Sequence, residues 1–172
     1  MKPIPFPLAL NIGTDIVHLP RITRLLSRPG NTLPRFTRRI LHAREQQDFR
    51  ARFALPPLDL SLPSSNPPSP SPSTSPQATT PQITPEMTRW LAGRFAAKEA
   101  ARKAAPSGAA HIGWKDVVVR TGEIDAGTGS GRPEVVYLDC GGEGEDAGPG
   151  RVGKLSISHD GEYVVAMVVA AG

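Results

Sequence analysis

The sequence predicts an α+β fold, with helices packed against a small, mainly antiparallel sheet. Three observations carry that reading. An opening stretch alternates with period two, the middle of the chain holds helices with clear start and stop residues, and the last third breaks into short β-branched runs. An alternating βαβ order is absent.

Taken in order, "LALNIGTDIV" alternates Leu8, Leu10, Ile12 and Ile16 against Ala9, Asn11, Gly13, Asp15 and Val17, the pattern of a strand. A first helix is expected from near Pro20, with Ile22, Leu25 and Leu26 facing in. Arg21, Arg24 and Arg28 then share its outer face at i, i+3 and i+7. "LPRFTRRILHAREQQDFRARF" reads as a further helical stretch with Phe36, Ile40 and Leu41 on the inner side. Thr84 can cap a long helix, Pro85 fits its first position and Glu86 suits its positive end; Pro106 and Gly108 stop it. Strands follow at "KDVVVR", at "PEVVYLD" after a glycine turn, and, beyond an acidic glycine loop at 141–150, at "GKLSISHDGEYVVAMVV". Asp160-Gly161 between two apolar runs predicts a hairpin.

A chain of 172 residues suffices for one core and is marginal for two. Residues 56–85 contain ten of the 19 prolines, and proline, serine and threonine fill 21 of the 30 positions. Such a stretch buries too little apolar surface to offset its ordering entropy, so it reads as a disordered or polyproline-like insertion within a single domain spanning 1–172. Its PxxP spacings would also suit an SH3 or WW module. One cysteine, Cys140, excludes an internal disulfide framework and fits a reducing compartment. No apolar run reaches membrane-spanning length, and the N-terminus lacks a cleavage pattern, so neither membrane nor secretion is expected. The net charge of +4 conceals a gradient: residues 1–55 hold ten Lys and Arg against three acids, and residues 106–172 hold five against ten. The basic end should favour an acidic partner. Nucleic acid is not that partner, since no stacking platform or recognition motif accompanies the charge.

Misplaced polar groups locate the chemistry. In "WLAGRFAAKEAARKA", residues 90–104, Leu91, Phe95, Glu99 and Lys103 stack along nearly one line, so a carboxylate and an ammonium extend an apolar stripe. Asp15 ends an apolar strand shortly after Gly13, where backbone can approach closely. If Asp15 and Glu99 meet, they share a proton or hold a cation, and Mg²⁺ suits one or two carboxylates completed by water and phosphate oxygens. Lys103 and the row Arg94, Lys98 and Arg102 would supply positive charge for those phosphates. The plainer alternative makes Glu99 and Lys103 an ordinary helix pair and Asp15 a turn or cap residue.

"IGTDIVHLPRI", "LAGRFAAKEAARKA" and "LSISHDGEYVVAMVV" resemble, in order, the three signature segments of the holo-acyl-carrier-protein synthase type of 4'-phosphopantetheinyl transferase. "RILHAREQQDF" and "GSGRPEV" fall where that family places weaker equivalents. The resemblance implies the 4'-phosphopantetheinyl transferase fold. It also implies transfer of the phosphopantetheine arm of coenzyme A to a serine of an apo acyl carrier protein, releasing adenosine 3',5'-bisphosphate. By the same resemblance Asp15 and Glu99 hold Mg²⁺, and Lys103 stabilises or protonates the leaving phosphate. Either Glu99 or a water held at the metal takes the serine proton, the water being favoured. Arg94, His159 and a turn of Gly131, Arg132 and Pro133 are implied for the coenzyme, with hairpin capping the alternative for His159 and a solvated turn for Arg132. Arg21, Arg24 and Arg28 are implied to dock the acidic carrier helix.

A homotrimer is expected on the same ground, and an intracellular setting, cytoplasmic or mitochondrial matrix. One departure from the family pattern is His42 with Glu45, which predicts a weaker helix cap. "GTGSGRP" lacks the lysine and helix of a P-loop, and His18, His42 and His111 lack zinc spacing. Another Mg²⁺-dependent phosphate-ester enzyme and a catalytically silent carrier-binding module are the competing readings.

Overall fold

The computed structural model describes residues 6–55, 81–124, 131–138 and 150–172. Most of the proline-rich insertion, the glycine turn before the second of the C-terminal strands, and Cys140 with its acidic loop lie outside the described residues. The chain order is β1 (Leu10–His18), α1 (Leu19–Leu26), α2 (Thr32–Ile40), α3 (Ala43–Arg52), α4 (Pro85–Ala104), β2 (Val117–Ile124), β3 (Gly131–Tyr137), β4 (Arg151–Asp160) and β5 (Tyr163–Ala171). The strands form one antiparallel sheet in the order β1-β5-β4-β3-β2. The N-terminal strand is therefore carried to the C-terminal hairpin, and α4 lies across β1 and β5.

Alanine makes that crossing close. Ala92, Ala96, Ala97, Ala100, Ala101 and Ala104 are all fully buried and give α4 a flat inner surface. Against it lies Gly13, where a Cβ would stand 1.9 Å from the Ala100 carbonyl oxygen and 2.7 Å from the Ala104 nitrogen. Only glycine permits this approach. From β5, Val164, Ala166 and Val168 face the same helix, and Tyr137 on β3 donates its buried hydroxyl to the Ala101 carbonyl at 2.8 Å. Burial pushes that phenol up to about 12.

The β1 alternation runs opposite to its apolar content. Gly13 and Val17 are buried, whereas Leu10, Ile12 and Ile16 face away from α4 and are exposed, Ile12 at 67%. Val165, Met167 and Tyr163 of β5 extend this outer apolar face. Strand alternation was legible, but a helix made of alanines takes the small residues and leaves the large ones outside.

Three further expectations change. The stretch from Leu33 is two helices, not one, because Leu41 adopts an extended φ of −94° and ψ of 135° and His42 starts α3. The weaker cap expected there is fully formed: the Glu45 carboxylate accepts the His42 backbone N–H at 2.9 Å, and His42 Nδ1 accepts the Arg44 N–H at 3.3 Å. Gly131, Arg132 and Pro133 open strand β3 rather than forming a turn, since Pro133 pairs opposite Thr121 and Gly131 opposite Ile124. The C-terminal hairpin forms with its turn at Gly161–Glu162, where Gly161 has a φ of +50°, and Asp160 pairs with Tyr163. Thr84 caps α4 as expected, accepting the Met87 N–H at 3.2 Å.

Candidate active site

Along the α4 stripe, burial falls progressively. Leu91 is fully buried, Phe95 and Glu99 are half-buried, and the Lys103 side chain is 46% exposed. The stripe thus runs out of the core to the part-exposed polar crossing of α4 and β1, the cleft of this site. Two residues beyond Gly13 on the same face of β1, Asp15 is carried to that cleft by the close approach of strand and helix. Lys103 Nζ donates to Asp15 Oδ1 and to the Thr14 carbonyl, each at 2.9 Å. An ammonium has three donors, so one remains for a ligand. Glu99, one turn back, accepts from Arg102 Nη1 at 2.8 Å through Oε1. The expected Glu99–Lys103 helix pair is replaced by these two partnerships, Asp15 with Lys103 and Glu99 with Arg102.

The phosphate-binding row of Arg94, Lys98 and Arg102 does not survive. Lys98 is fully buried and spends its three donors on Glu45 at 2.5 Å, Ile40 O at 2.8 Å and Trp114 O at 2.9 Å. Glu45, equally buried, also accepts from Val119 N at 3.1 Å. Arg94 packs its Nε within 3.8 Å of Glu45 and stacks its guanidinium over Trp90 at 4.5 Å. Burial lowers the pKa of Lys98 and Arg94, against the opposing pull of Glu45. These groups tie α2, α3, α4 and β2 together on the flank of α4 away from the cleft. Sequence spacing placed Lys98 beside two other cations; only packing reveals that an acid from α3 waits for it.

A groove of about 620 Å³ opens between α1 and α2, rimmed by Arg21, Arg28, Arg35 and Arg39 and floored by Leu25, Phe36, Phe95 and Trp114. Phe95 joins its aromatic floor, tilted against Trp114 at 4.8 Å and stacked on Phe36 at 6.1 Å. Since Glu99 follows Phe95 by one turn, groove and cleft adjoin. Of the predicted row, all three arginines are exposed, but α1 ends at Leu26, so Arg28 lies beyond the helix, and Arg21 and Arg28 line the groove whereas Arg24 does not. Arg35 and Arg39 went unremarked, although their i, i+4 spacing next to Phe36 repeats the α1 signal.

The remaining predicted residues are more scattered. His159 is exposed on β4, and its register through Val164 to Val17 sets it on the α4 side of the sheet near the hairpin end. Arg132 alternates with Glu134 to the outer face, opposite Tyr137, which reaches α4. Within one chain the sheet therefore separates Arg132 from Asp15. Among the described residues, no group of three or more His, Cys, Asp or Glu could cage a metal ion. No described helix is long and apolar enough to cross a membrane.

The same combination of strand, helix and hairpin is found in known proteins. Residues 11–135 match the family model of the 4'-phosphopantetheinyl transferase superfamily. The chain is 63% identical, over all of both sequences, to the mitochondrial 4'-phosphopantetheinyl transferase B of Aspergillus fumigatus. Its fold is similar to a holo-(acyl-carrier-protein) synthase from Bacillus anthracis in complex with CoA (3',5'-ADP), at TM-score 0.55 and 26% identity, covering 94% of this chain and 96% of that one. The holo-[acyl-carrier-protein] synthase of Neisseria meningitidis is similar at TM-score 0.52 and 27% identity, covering 94% and 98%. With the family match spanning the whole stretch from Asp15 through Glu99 and Lys103, this chain belongs to the 4'-phosphopantetheinyl transferase superfamily and is a transferase.

Proposed function

We propose that this chain transfers the phosphopantetheine arm of coenzyme A to a serine of an apo acyl carrier protein in a Mg²⁺-dependent reaction, releasing adenosine 3',5'-bisphosphate. The observation that carries the reading is the cleft where Asp15, Lys103 and Glu99 share one face of β1 and α4, opening beside an arginine-rimmed apolar groove.

The donor set fits a hard divalent cation. Asp15 and Glu99 each give one oxygen to a cationic side chain, which leaves the second oxygen of each carboxylate. Two carboxylates suit Mg²⁺, whose other positions go to water and phosphate oxygens. Asp15 and Glu99 would hold the ion, and when bound it neutralises charge on the transferred and leaving phosphates. Lys103, with its third donor free, meets the leaving phosphate and orients Asp15. The groove receives an acidic helix: Arg21, Arg24 and Arg28 steer it, and the apolar floor takes its apolar side chains.

Coenzyme binding by His159, Gly131, Arg132 and Pro133, without Arg94, which is engaged by Glu45 and Trp90, requires more than one copy of the chain, because Arg132 lies across the sheet from Asp15. The outer face of Leu10, Ile12, Ile16, Val165 and Met167 supplies an apolar contact surface for such copies, and a homotrimer is the assembly we propose. The mitochondrial assignment of the Aspergillus relative favours the mitochondrial matrix over the cytoplasm.

Incubating the full chain with coenzyme A, Mg²⁺ and an apo carrier protein, followed by mass spectrometry of the carrier, tests the reaction. The carrier is expected to gain one phosphopantetheine. Asp15→Ala or Glu99→Ala is expected to slow that gain at least about a hundredfold, the scale of losing one electrostatic stabiliser. Persistence of full activity in either variant removes the metal assignment, and a wild type that binds carrier without modifying it makes the chain a docking module.

A further inference from the structure

We infer that Arg102 is a positioning residue for Glu99, fixing the carboxylate so that one oxygen faces the divalent cation; the inference rests on the metal reading above. Of all the charged side chains near the cleft, Arg102 is the most completely engaged by protein. Its Nε donates to Ile112 O at 2.6 Å, Nη2 to Ala109 O at 2.8 Å and Nη1 to Glu99 Oε1 at 2.8 Å. Its guanidinium also stacks over Trp114 at 5.0 Å. The planar fork is therefore fixed on its far side by the loop after α4 before it touches Glu99.

That arrangement does something an ordinary i, i+3 ion pair does not. An exposed pair orders two long side chains against each other, and neither has a fixed frame. Here the frame is external: two backbone carbonyls and an indole ring hold the guanidinium, so Nη1 presents one fixed hydrogen to Glu99. A glutamate side chain loses rotamer freedom when it is ordered. Arg102 orders it in advance, and the rigid donor selects Oε1. Among the described residues Glu99 Oε2 has no hydrogen-bond partner, so it is the oxygen left for the cation.

The loop is itself anchored to α4 on the other side of Glu99, because Lys98 donates to Trp114 O and Phe95 packs at a tilt against the Trp114 ring. Glu99 thus sits between two fasteners, and of these only Arg102 touches it. Lysine cannot replace the fork: it has the charge, but a single nitrogen cannot reach Ile112 O, Ala109 O and Glu99 together in that plane. The chain spends its most donor-rich side chain on a carboxylate and a loop rather than on the substrate's phosphates.

Because Arg102 also brings a positive charge near the proposed cation, the informative variant keeps the charge and removes the fork. Arg102→Lys is expected to bind Mn²⁺ about 3- to 10-fold more weakly than wild type, read from free Mn²⁺ by electron paramagnetic resonance in the presence of coenzyme A. In the transfer assay kcat falls about tenfold, with KM for the carrier unchanged. Trp114→Leu, which removes the ring under the guanidinium, is expected to shift Mn²⁺ affinity the same way by about 2- to 3-fold, and it serves if the lysine variant does not fold. Wild-type Mn²⁺ affinity in the folded variants, with only the melting temperature lowered, makes Arg102 structural and overturns the inference while leaving the metal site standing. Absence of Mn²⁺ binding by the wild type instead removes the metal reading and the inference together.

Discussion

Lys98 and Glu99 are consecutive in sequence, both charged, and have opposite fates. Lys98 turns into a buried polar cluster where each of its three donors meets an acceptor. Glu99 turns into a cleft where half of its carboxylate is committed and half is not. A rotation of about 100° per residue along α4 separates the two environments. The difference teaches that charge alone does not mark chemistry in this helix. A fully satisfied buried ion holds elements together, and a partly satisfied one at a cleft can act on a ligand.

The comparison breaks first at Lys98. Lys98→Met leaves the Glu45 carboxylate buried without its cation, and breaking a buried pair costs about 3–5 kcal/mol. Urea denaturation is expected to show that loss. The matching change in the open region, Lys103→Met, is expected to cost below about 1 kcal/mol, because its ion pair is half in solvent. The double variant Glu45→Gln with Lys98→Met removes both charges and should be more stable than Lys98→Met alone. Equal urea midpoints for Lys98→Met and Lys103→Met would erase the distinction between closed cluster and open cleft.

A second way to sharpen it acts on the distance between strand and helix. Gly13→Ala puts a methyl group into the backbone of Ala100 and Ala104, and neither can yield as a flexible side chain does. The loss is expected at about 3 kcal/mol, the upper end for overpacking. Activity should fall further than stability explains, because β1 moves away carrying Asp15 from Lys103. Gly93→Ala is the control: nothing stands within 4 Å of its added Cβ, and alanine favours helix over glycine by about 1 kcal/mol. A Gly13→Ala variant with wild-type denaturation midpoint and rate would separate the close approach from the site.

Much of this was readable beforehand because it is local. Thr84 and Pro85 announce α4, Pro106 and Gly108 end it, and Asp160-Gly161 marks the hairpin within one residue. Asp15, Glu99 and Lys103 stood out because each interrupts an apolar pattern. The missing parts depend on partners distant in sequence. Nothing near Lys98 reveals that Glu45, on another helix, will neutralise it. The inward face of β1 was obscured for a related reason. Apolar size normally points to the core, but a polyalanine helix surface selects Gly13 and Val17 and leaves Ile12 and Ile16 for the outer face. Likewise the groove needs Arg21 from α1 and Arg28 from just beyond its end to face Arg35 and Arg39 from α2, a juxtaposition that only tertiary packing creates.

The smallest expected effect lies where the closed cluster meets solvent, at His42. Its Nδ1 caps α3 by accepting the Arg44 N–H, a role only the neutral ring can fill. Burial holds its pKa below the usual 6.5, helped by the charges of Lys98, Arg44 and Lys115 and opposed by Glu45. The sign follows from linkage: as pH drops below 6.5 the unfolded chain takes up the proton first, so stability is full above that value and declines as pH falls through the folded-state pKa. Nuclear magnetic resonance titration of the His42 ring is expected to give a midpoint under 6.5, with the denaturation midpoint falling over the same window. His42→Asn keeps a capping oxygen that does not titrate. It should flatten this part of the pH profile relative to wild type. A ring midpoint at or above 6.5, or an unchanged profile in His42→Asn, would place His42 outside the closed cluster and confine that region to Glu45, Lys98 and Arg94.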